Sequence, residues 1–173
     1  MSLSIAVLGS SRTAEDSPDY ERAVAVGREI ARRGGRVVCG GSGGVMEAAC
    51  RGASEAGGTS LGVLLGDGEP NRFVSETVRV EDLGDRLQRL TDESSAAIFL
   101  PRGLGTMLEV AWMAESISKR RIDPRPLVFA GTFWRRVVAL AVSEAAGLGA
   151  EELARSVHFI STAEQAVARA YPR

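Results

Sequence analysis

The residues with the clearest chemical potential lie in segment 101–109, which reads PRGLGTMLE. A short apolar run precedes this segment, and a helical pattern is predicted from Met107 onward. Gly103 and Gly105 let the backbone approach a ligand closely, and the start of a helix presents unpaired N–H groups and a partial positive charge. These two properties together are typical of a phosphate-binding loop.

Two polar side chains near the end of this segment allow two interpretations. Thr106 and Glu109 have the spacing of a capping box, in which both side chains only satisfy the first turn of the helix. Alternatively, the Thr106 hydroxyl binds a phosphate oxygen and the Glu109 carboxylate points into a ligand cleft. Arg86 and Arg89 lie three residues apart on one face of the preceding predicted helix, where they are either solvated or clamp a phosphate.

A second glycine-rich loop, GGSGG at residues 40–44, also stands between a predicted strand and a predicted helix. The loop at residues 9–11, GSS, follows the first predicted strand. Glycine in such loops either serves a tight turn or lets a ligand come close, and two such loops in one domain favour a ligand site. The glycine pairs at residues 34–35 and 57–58 are interpreted as helix ends.

Several classes of protein are disfavoured by what the chain contains. Its 21 basic and 22 acidic residues give a net charge of −1, so binding to a nucleic-acid polymer is not expected. Neither a Walker A motif nor a dinucleotide fingerprint is present. An ordinary zinc site needs three or four His or Cys ligands, and the three candidates, Cys39, Cys50 and His158, are scattered along the chain. Without a secretion signal or a membrane span, we expect a cytoplasmic protein with no bound metal.

Strand patterns alternate with helical patterns along the whole chain. The predicted strands occupy residues 3–8, 36–39, 60–65, 76–80, 96–100, 127–130 and 156–160. The predicted helices occupy residues 18–33, 45–56, 82–91, 107–120 and 133–146, with a last helix from about residue 163. This alternation predicts an α/β protein with a Rossmann-like doubly wound parallel sheet of about seven strands and helices on both faces. We interpret residues 1–173 as a single nucleotide-binding domain.

The two glycine-rich loops resemble those of the LOG (Lonely Guy) family, also called lysine decarboxylase-like proteins. Residues 101–109 are similar to its signature PGGxGTxxE, with Arg102 in place of a glycine and Leu108 in place of an acidic residue. Residues 40–49, GGSGGVMEAA, resemble its second motif in the form found in molybdenum cofactor carrier proteins. The order of the predicted elements matches over nearly the whole chain.

The resemblance implies a catalytic pair. The glutamate that closes the signature matches Glu109, and the arginine of an MxxRK segment matches Arg86, although Leu83 and Leu87 replace the Met and Lys of that segment. LOG enzymes hydrolyse the N-glycosidic bond of nucleoside 5′-monophosphates, such as AMP or cytokinin ribotides, to the free base and ribose 5-phosphate. Such cleavage passes through an oxocarbenium-like transition state, which Glu109 would stabilise while activating water. Arg86 would bind the phosphate or ribose and keep Glu109 ionised.

The predicted ligand is therefore a bound nucleotide or phosphate, and no cofactor is required. Its predicted binding residues are Gly9, Ser10, Gly40, Gly41, Ser42, Gly43, Gly44, Met46, Glu47, Arg89, Arg102, Gly103, Leu104, Gly105 and Thr106. Met46 and Glu47 would flank the base, with core packing as the alternative for Met46.

Two other functions and a quaternary structure remain open from the sequence. The alternative to an enzyme is a non-catalytic carrier of molybdenum cofactor, a phosphorylated pterin, which Arg102 and the Gly44–Glu47 residues GVME favour. A third interpretation is a structural or regulatory partner protein that neither binds nor turns over a nucleotide. The resemblance also implies a homodimer, for which Trp112, Met113 and Ile117 form either an apolar contact face or part of the core.

Overall fold

Strands and helices alternate along the chain in the computed structural model, which describes residues 3–145 and 149–171. Within these residues the strands are β1 (Ser4–Leu8), β2 (Arg36–Cys39), β3 (Ser60–Leu65), β4 (Glu76–Val80), β5 (Ala96–Phe99), β6 (Leu127–Ala130) and β7 (Val157–Ile160). The helices are α1 (Pro18–Arg32), α2 (Val45–Glu55), α3 (Leu83–Asp92), α4 (Leu104–Ser118), α5 (Arg135–Glu144), α6 (Ala150–Ser156) and α7 (Ala163–Ala170).

The strands pair in the order β4-β3-β2-β1-β5-β6-β7, and all the pairs are parallel. The chain first builds outward from β1 to β4 and then crosses to the other side of β1 with β5, so that the strand order reverses between β1 and β5. Ligands of open α/β sheets bind at the carboxyl ends of the strands beside such a reversal. The loops after β1, β2 and β5 therefore meet at the position where a ligand is expected.

Each face of the sheet has its own apolar core. On β1, Ile5 and Val7 point into one core with residues of α1, α2 and α7, whereas Ala6 and Leu8 point into the other with residues of α3 to α6. Side chains of a strand alternate between the two faces, and parallel strands covered on both sides are apolar throughout. This arrangement confirms the predicted doubly wound α/β sheet. Among the described residues, no helix combines the length and apolarity that crossing a membrane requires.

Helices α1 and α2 approach each other through two glycines. A Cβ atom on Gly27 would overlap the carbonyl oxygen of Ala49, and one on Gly52 would overlap the carbonyl oxygen of Val24. Only glycine allows two helix backbones to come this close. The two helices therefore pack closely against each other on one face of the sheet, and α2 directly follows the loop after β2.

The structure differs from the sequence predictions mainly in the helices. Helix α4 begins at Leu104 rather than Met107, because the chain turns at Arg102 and Gly103, both with positive φ, and enters the helix at once. Helix α6 was not predicted, since its seven residues are too few for a clear apolar period. Helix α5 begins at Arg135, and its predicted end at Ala146 lies outside the described residues.

Candidate functional site

A cavity of about 440 Å³ opens at the carboxyl ends of β1, β2 and β5. This volume lies within the range of ordinary small-molecule sites. The predicted site residues that line it are Gly9, Ser10, Ser42, Met46, Arg86, Gly103, Leu104, Gly105, Thr106 and Glu109. The three sequence-distant loops therefore form one site with a residue of α3.

Glu109 lies in the second turn of α4 and is almost completely buried, with 7% of its surface exposed. Its carboxyl group lines the cavity and has no hydrogen-bond or ion-pair partner among the described residues. Burial raises the pKa of Glu109 from its ordinary 4.5 to about 7, while the positive charge of Arg86 lowers it. We expected Arg86 to keep this carboxyl group ionised, but the cost of burying a charge outweighs the attraction between the two groups.

Of the two interpretations of Thr106 and Glu109, the capping box does not form. The N-cap of α4 is Gly103, with φ of 101° and no side-chain hydrogen bond to the helix. The first N–H groups of the helix, on Leu104, Gly105 and Thr106, have no partner among the described groups. These unpaired donors border the cavity, and Glu109 is left free to face it.

Arg86 is held by backbone carbonyl groups rather than by a carboxylate. Its Nε donates to the carbonyl oxygen of Val63 at 3.0 Å, and its Nη2 donates to that of Gly40 at 3.2 Å. Since carbonyl groups orient the guanidinium without cancelling its charge, Arg86 brings a full positive charge to the cavity. The structure does not bring Arg89 there, because its guanidinium pairs with Glu93 at 2.8 Å outside the cavity.

The glycines of the 40–44 loop lie outside the cavity lining and contact other parts of the protein. Only Ser42 of this loop borders the cavity. A Cβ on Gly40 would overlap the guanidinium of Arg86, and one on Gly44 would overlap the carbonyl oxygen of Ser10. Gly40, Gly41 and Gly44 thus allow protein groups, rather than a ligand, to approach the backbone, whereas a Cβ on Gly43 would make only ordinary contacts.

The two residues predicted to flank a base take different positions. Met46 borders the cavity and also packs in the core beneath it, with 7% of its surface exposed. Glu47 lies outside the cavity lining, 3.7 Å from the guanidinium of Arg72. Both of the roles considered for Met46 are compatible with this placement, whereas Glu47 is directed toward a neighbouring loop.

Arg102 stands where the LOG signature has glycine. The backbone at this position has the left-handed conformation that glycine adopts most readily. Its φ of 73° lies in the left-handed region, which costs a residue with a side chain about 1 kcal/mol. The side chain is exposed and does not border the cavity. Arg102 therefore does not contribute its charge to the cavity, and the arginine at this position affects the backbone conformation of the loop.

Sequence reasoning missed one residue of the cavity, Arg12, and did not include Ser11, the last residue of the predicted 9–11 loop, among the binding residues. The Arg12 backbone N–H donates to the Ser10 hydroxyl at 3.2 Å, while its guanidinium makes no hydrogen bond or ion pair with the described residues. The available signal was position, since Arg12 directly follows the loop after the first strand. Arg12 and Arg86 together make the cavity electropositive.

The close approach of Gly40 and Arg86 leads to a prediction. In Gly40→Ala the new methyl group must displace the guanidinium of Arg86, which is the far end of a flexible side chain. We expect a folded protein whose kcat/KM for the reaction proposed below falls about 10- to 100-fold, as for a lost positioning contact. Steady-state kinetics and thermal denaturation check this, with Gly84→Ala, at an exposed position of α3 where the added methyl group meets only the Asp82 side chain, as the matched glycine control. Unchanged kinetics in a folded Gly40→Ala protein would show that Arg86 is not needed where the structure places it.

Within the described residues, neither a cluster of metal ligands nor a thiol borders the cavity. Residues 3–145 and 149–171 contain no group of three or more His, Cys, Asp or Glu side chains arranged to hold a metal ion. Cys39 and Cys50 are buried free thiols whose sulfur atoms lie 3.5 Å apart beneath the 40–44 loop. His158 lies on β7, away from the cavity.

Comparisons with known proteins identify the family and the fold. The sequence model of the SLOG cluster4 family matches residues 2–120. An uncharacterized protein of Archaeoglobus fulgidus is 32% identical over 127 residues, which cover 73% of this chain and 82% of that protein. The molybdenum cofactor carrier protein of Chlamydomonas reinhardtii is similar in structure, with a TM-score of 0.74 and 27% identity over 97% of this chain and 95% of that one.

The molybdenum cofactor binding protein of the phototrophic bacterium Rippkaea orientalis has a similar fold. Its TM-score is 0.75 at 24% identity, over 97% of this chain and 94% of that chain. At this level of identity the likeness concerns the fold alone.

Proposed function

The chain belongs to the SLOG cluster4 family, and from that premise we propose that it is a nucleoside 5′-monophosphate phosphoribohydrolase. The observation that carries the proposal is the Glu109 carboxyl group, which is 7% exposed, faces the cavity and has no partner in the described protein. Burying a carboxyl group without a partner destabilises a fold, so this group is best explained by a role toward a ligand.

The phosphate of the nucleotide would bind at the start of α4. Leu104, Gly105 and Thr106 offer unpaired N–H groups there, and the helix adds its partial positive charge. The guanidinium groups of Arg12 and Arg86 border the same cavity. Two cations and a helix N-terminus suit the double negative charge of a phosphate monoester.

Glu109 would act on the glycosidic bond. In its ionised form it stabilises the positive charge that develops on the ribose and accepts a proton from the attacking water. The water oxygen forms a bond to C1′, the bond from C1′ to the base nitrogen breaks, and the base leaves with the electron pair and takes up a proton. Arg86, 3.0 and 3.2 Å from its two carbonyl acceptors, would hold the ligand beside Glu109.

Incubation of the purified protein with AMP tests this proposal directly. We expect adenine and ribose 5-phosphate, detected by chromatography, and no adenine from adenosine, which lacks the phosphate group that the start of α4 would bind. A panel of nucleoside monophosphates identifies the preferred base. The absence of free base from every member of the panel would overturn the enzymatic proposal.

A second candidate function is that of a molybdenum cofactor carrier. The specific observation in its favour is the similarity to the Chlamydomonas reinhardtii carrier protein, at 27% identity over 97% of this chain. A phosphorylated pterin would use the same N–H groups and arginines as a nucleotide. A thermal-shift titration separates the two functions, because tight binding of the cofactor together with no release of base from nucleotides supports the carrier.

We also propose that a second copy of the chain covers the exposed side of α4. Leu104 is 81% exposed, and Met107 and Leu108 are each 41% exposed, at the i, i+3 and i+4 positions that form one helix face. Of the three residues considered for this face from the sequence, Met113 and Ile117 are each 1% exposed and belong to the core. Trp112 is partly buried and packs against the same core. The proposed contact face therefore lies about two helical turns closer to the start of α4 than the residues considered from the sequence.

The dimer proposal predicts the effect of a charge on this face. Leu108→Asp is expected to convert a dimer into a monomer, because a buried unpaired carboxylate is costly in an apolar contact. Size-exclusion chromatography with light scattering measures the mass, with Leu65→Asp, at an exposed leucine on β3, as the matched control. A monomeric parent protein, or a dimer that withstands Leu108→Asp, would contradict this assignment.

A further inference from the structure

We propose that Asn71 is a positioning residue that fixes the 40–44 loop and thereby places Ser42 and Arg86 for the reaction. The proposal rests on the hydrolase function given above. Asn71 lies in the loop between β3 and β4 and does not border the cavity. Its effect would therefore pass through the groups that it holds.

Asn71 makes three hydrogen bonds to the 40–44 loop. Its side-chain Nδ2 donates to the carbonyl oxygens of Gly41 at 3.1 Å and Ser42 at 2.9 Å. Its backbone N–H donates to the same Gly41 oxygen at 2.8 Å. One residue thus satisfies two consecutive carbonyl groups of a loop that has no regular secondary structure of its own.

Asn71 is itself anchored to the core. Its Oδ1 accepts the backbone N–H of Phe73 at 3.1 Å, and its carbonyl oxygen accepts that of Val74 at 3.2 Å. The Ser60 hydroxyl on β3 donates to the carbonyl oxygen of Phe73 at 3.2 Å. Phe73 and Val74 pack against the core beside α2. The amide of Asn71 is therefore held in place by β3 before any ligand arrives.

The 40–44 loop needs this support because its conformation is unusual. Gly41 has φ of 74°, and its N–H donates to the Cys39 sulfur at 3.3 Å, a weak acceptor. The neighbouring carbonyl group of Gly40 accepts the Arg86 Nη2. Rotation of the peptide groups at Gly41 would therefore move the acceptor of Arg86 as well as Ser42, which borders the cavity.

The amide group is specifically required. A single NH₂ group donates to two carbonyl oxygens, which neither a hydroxyl nor an ionised carboxylate can do. In Asn71→Asp, a group of the same shape would place negative charge against the Gly41 and Ser42 oxygens. When that carboxylate is protonated, it regains one donor.

Kinetics with AMP test the proposal on wild-type protein, Asn71→Ala, Asn71→Asp and Glu69→Ala. Glu69 is an exposed residue of the same loop, outside the site. We expect kcat/KM to fall at least tenfold in both Asn71 variants at pH 8, with Asn71→Asp at least as impaired as Asn71→Ala, and to stay within twofold in Glu69→Ala. As the pH falls from 7 to 5, the kcat/KM of Asn71→Asp relative to that of the wild type should rise, because protonation of the aspartate restores one donor. The relative kcat/KM of Asn71→Ala should stay constant.

Hydrogen exchange of the peptide that covers residues 40–44 provides a readout independent of turnover. We expect faster exchange in both Asn71 variants than in Glu69→Ala. Unchanged exchange, or folded Asn71 variants with kcat/KM within twofold of wild type, would overturn the proposal. A loss of activity that follows only a lower melting temperature, with no rise in the Asn71→Asp ratio at low pH, would assign Asn71 a structural role and also overturn it. If wild-type protein releases no adenine, the hydrolase function fails, while hydrogen exchange still decides whether Asn71 positions the loop.

Discussion

Replacing Glu109 by glutamine is expected to lower adenine release from AMP by a factor of about 10² to 10⁴, the usual contribution of a general acid–base group. Glutamine keeps the size of the side chain, but its amide can neither accept the proton of the attacking water nor stabilise a positive charge on the ribose. The measurement is kcat at saturating AMP, with Glu115→Gln on the exposed side of the same helix as the control. Adenine release at the wild-type rate from Glu109→Gln would remove Glu109 from the mechanism.

The same substitution is expected to stabilise the folded protein above pH 7. The pKa of Glu109 is about 7 in the folded protein against 4.5 ordinarily, so the folded state binds more protons between these values than the unfolded state does. The free energy of unfolding of the wild type therefore falls as the pH rises from about 4.5 to about 7. Glutamine has no such titration, so the free energy of unfolding of Glu109→Gln should exceed that of the wild type by about 3 kcal/mol at pH 8 and by almost nothing at pH 4.

Urea denaturation of the wild type, Glu109→Gln and Glu115→Gln at pH 4 and pH 8 measures this difference. Greater stability together with lost activity is the combination expected of a functional group held in an unfavourable environment. A Glu109→Gln protein that is less stable than the wild type at pH 8 would mean that the buried carboxyl group is compensated by interactions of its own.

The second large effect is expected at the contact between α1 and α2. A glycine in the middle of a helix costs about 1 kcal/mol relative to alanine, so Gly52→Ala would ordinarily stabilise the protein. Here the added methyl group would overlap the carbonyl oxygen of Val24, and a helix backbone cannot move aside as a side chain can. We therefore expect Gly52→Ala to destabilise the fold by about 3 kcal/mol, the upper part of the range for overpacked cores.

Thermal and urea denaturation measure this effect, with Gly105→Ala as the matched helical substitution. A Cβ on Gly105 meets no atom within 4 Å, so this control should be as stable as the wild type or slightly more stable. Equal stability of Gly52→Ala and Gly105→Ala would mean that α1 and α2 can separate without cost.

Strand positions were predictable because each strand has a strong local signal. The predicted bounds of β2, β3, β4 and β6 are those of the structure, since each is a short apolar or β-branched run between turn residues. Helix starts were harder to predict. Thr106 is a better N-cap by composition than Gly103, yet the helix begins at Leu104 because the backbone turn ends there.

The candidate site was predictable to the level of its loops. Glycine-rich segments after strands indicated residues 9–11, 40–44 and 101–106, and the structure brings all three to one cavity. Their spacing in the sequence did not show which residues face the cavity. Glu47, Arg89 and Arg102 lie outside it, while Arg12 lies inside. The direction of each side chain depends on how its helix or loop is oriented in the folded protein and on its neighbours.

The sequence by itself determined the class of the fold, the strands and the loops that carry chemistry, since these follow from apolar periodicity and from the conformational freedom of glycine. Only the tertiary structure decided the protonation and the contacts of those residues. Glu109 has a raised pKa because the surrounding chain removes it from water. The contact of Gly40 with Arg86 and that of Asn71 with Gly41 likewise join residues far apart in sequence, and they form only when the sheet assembles.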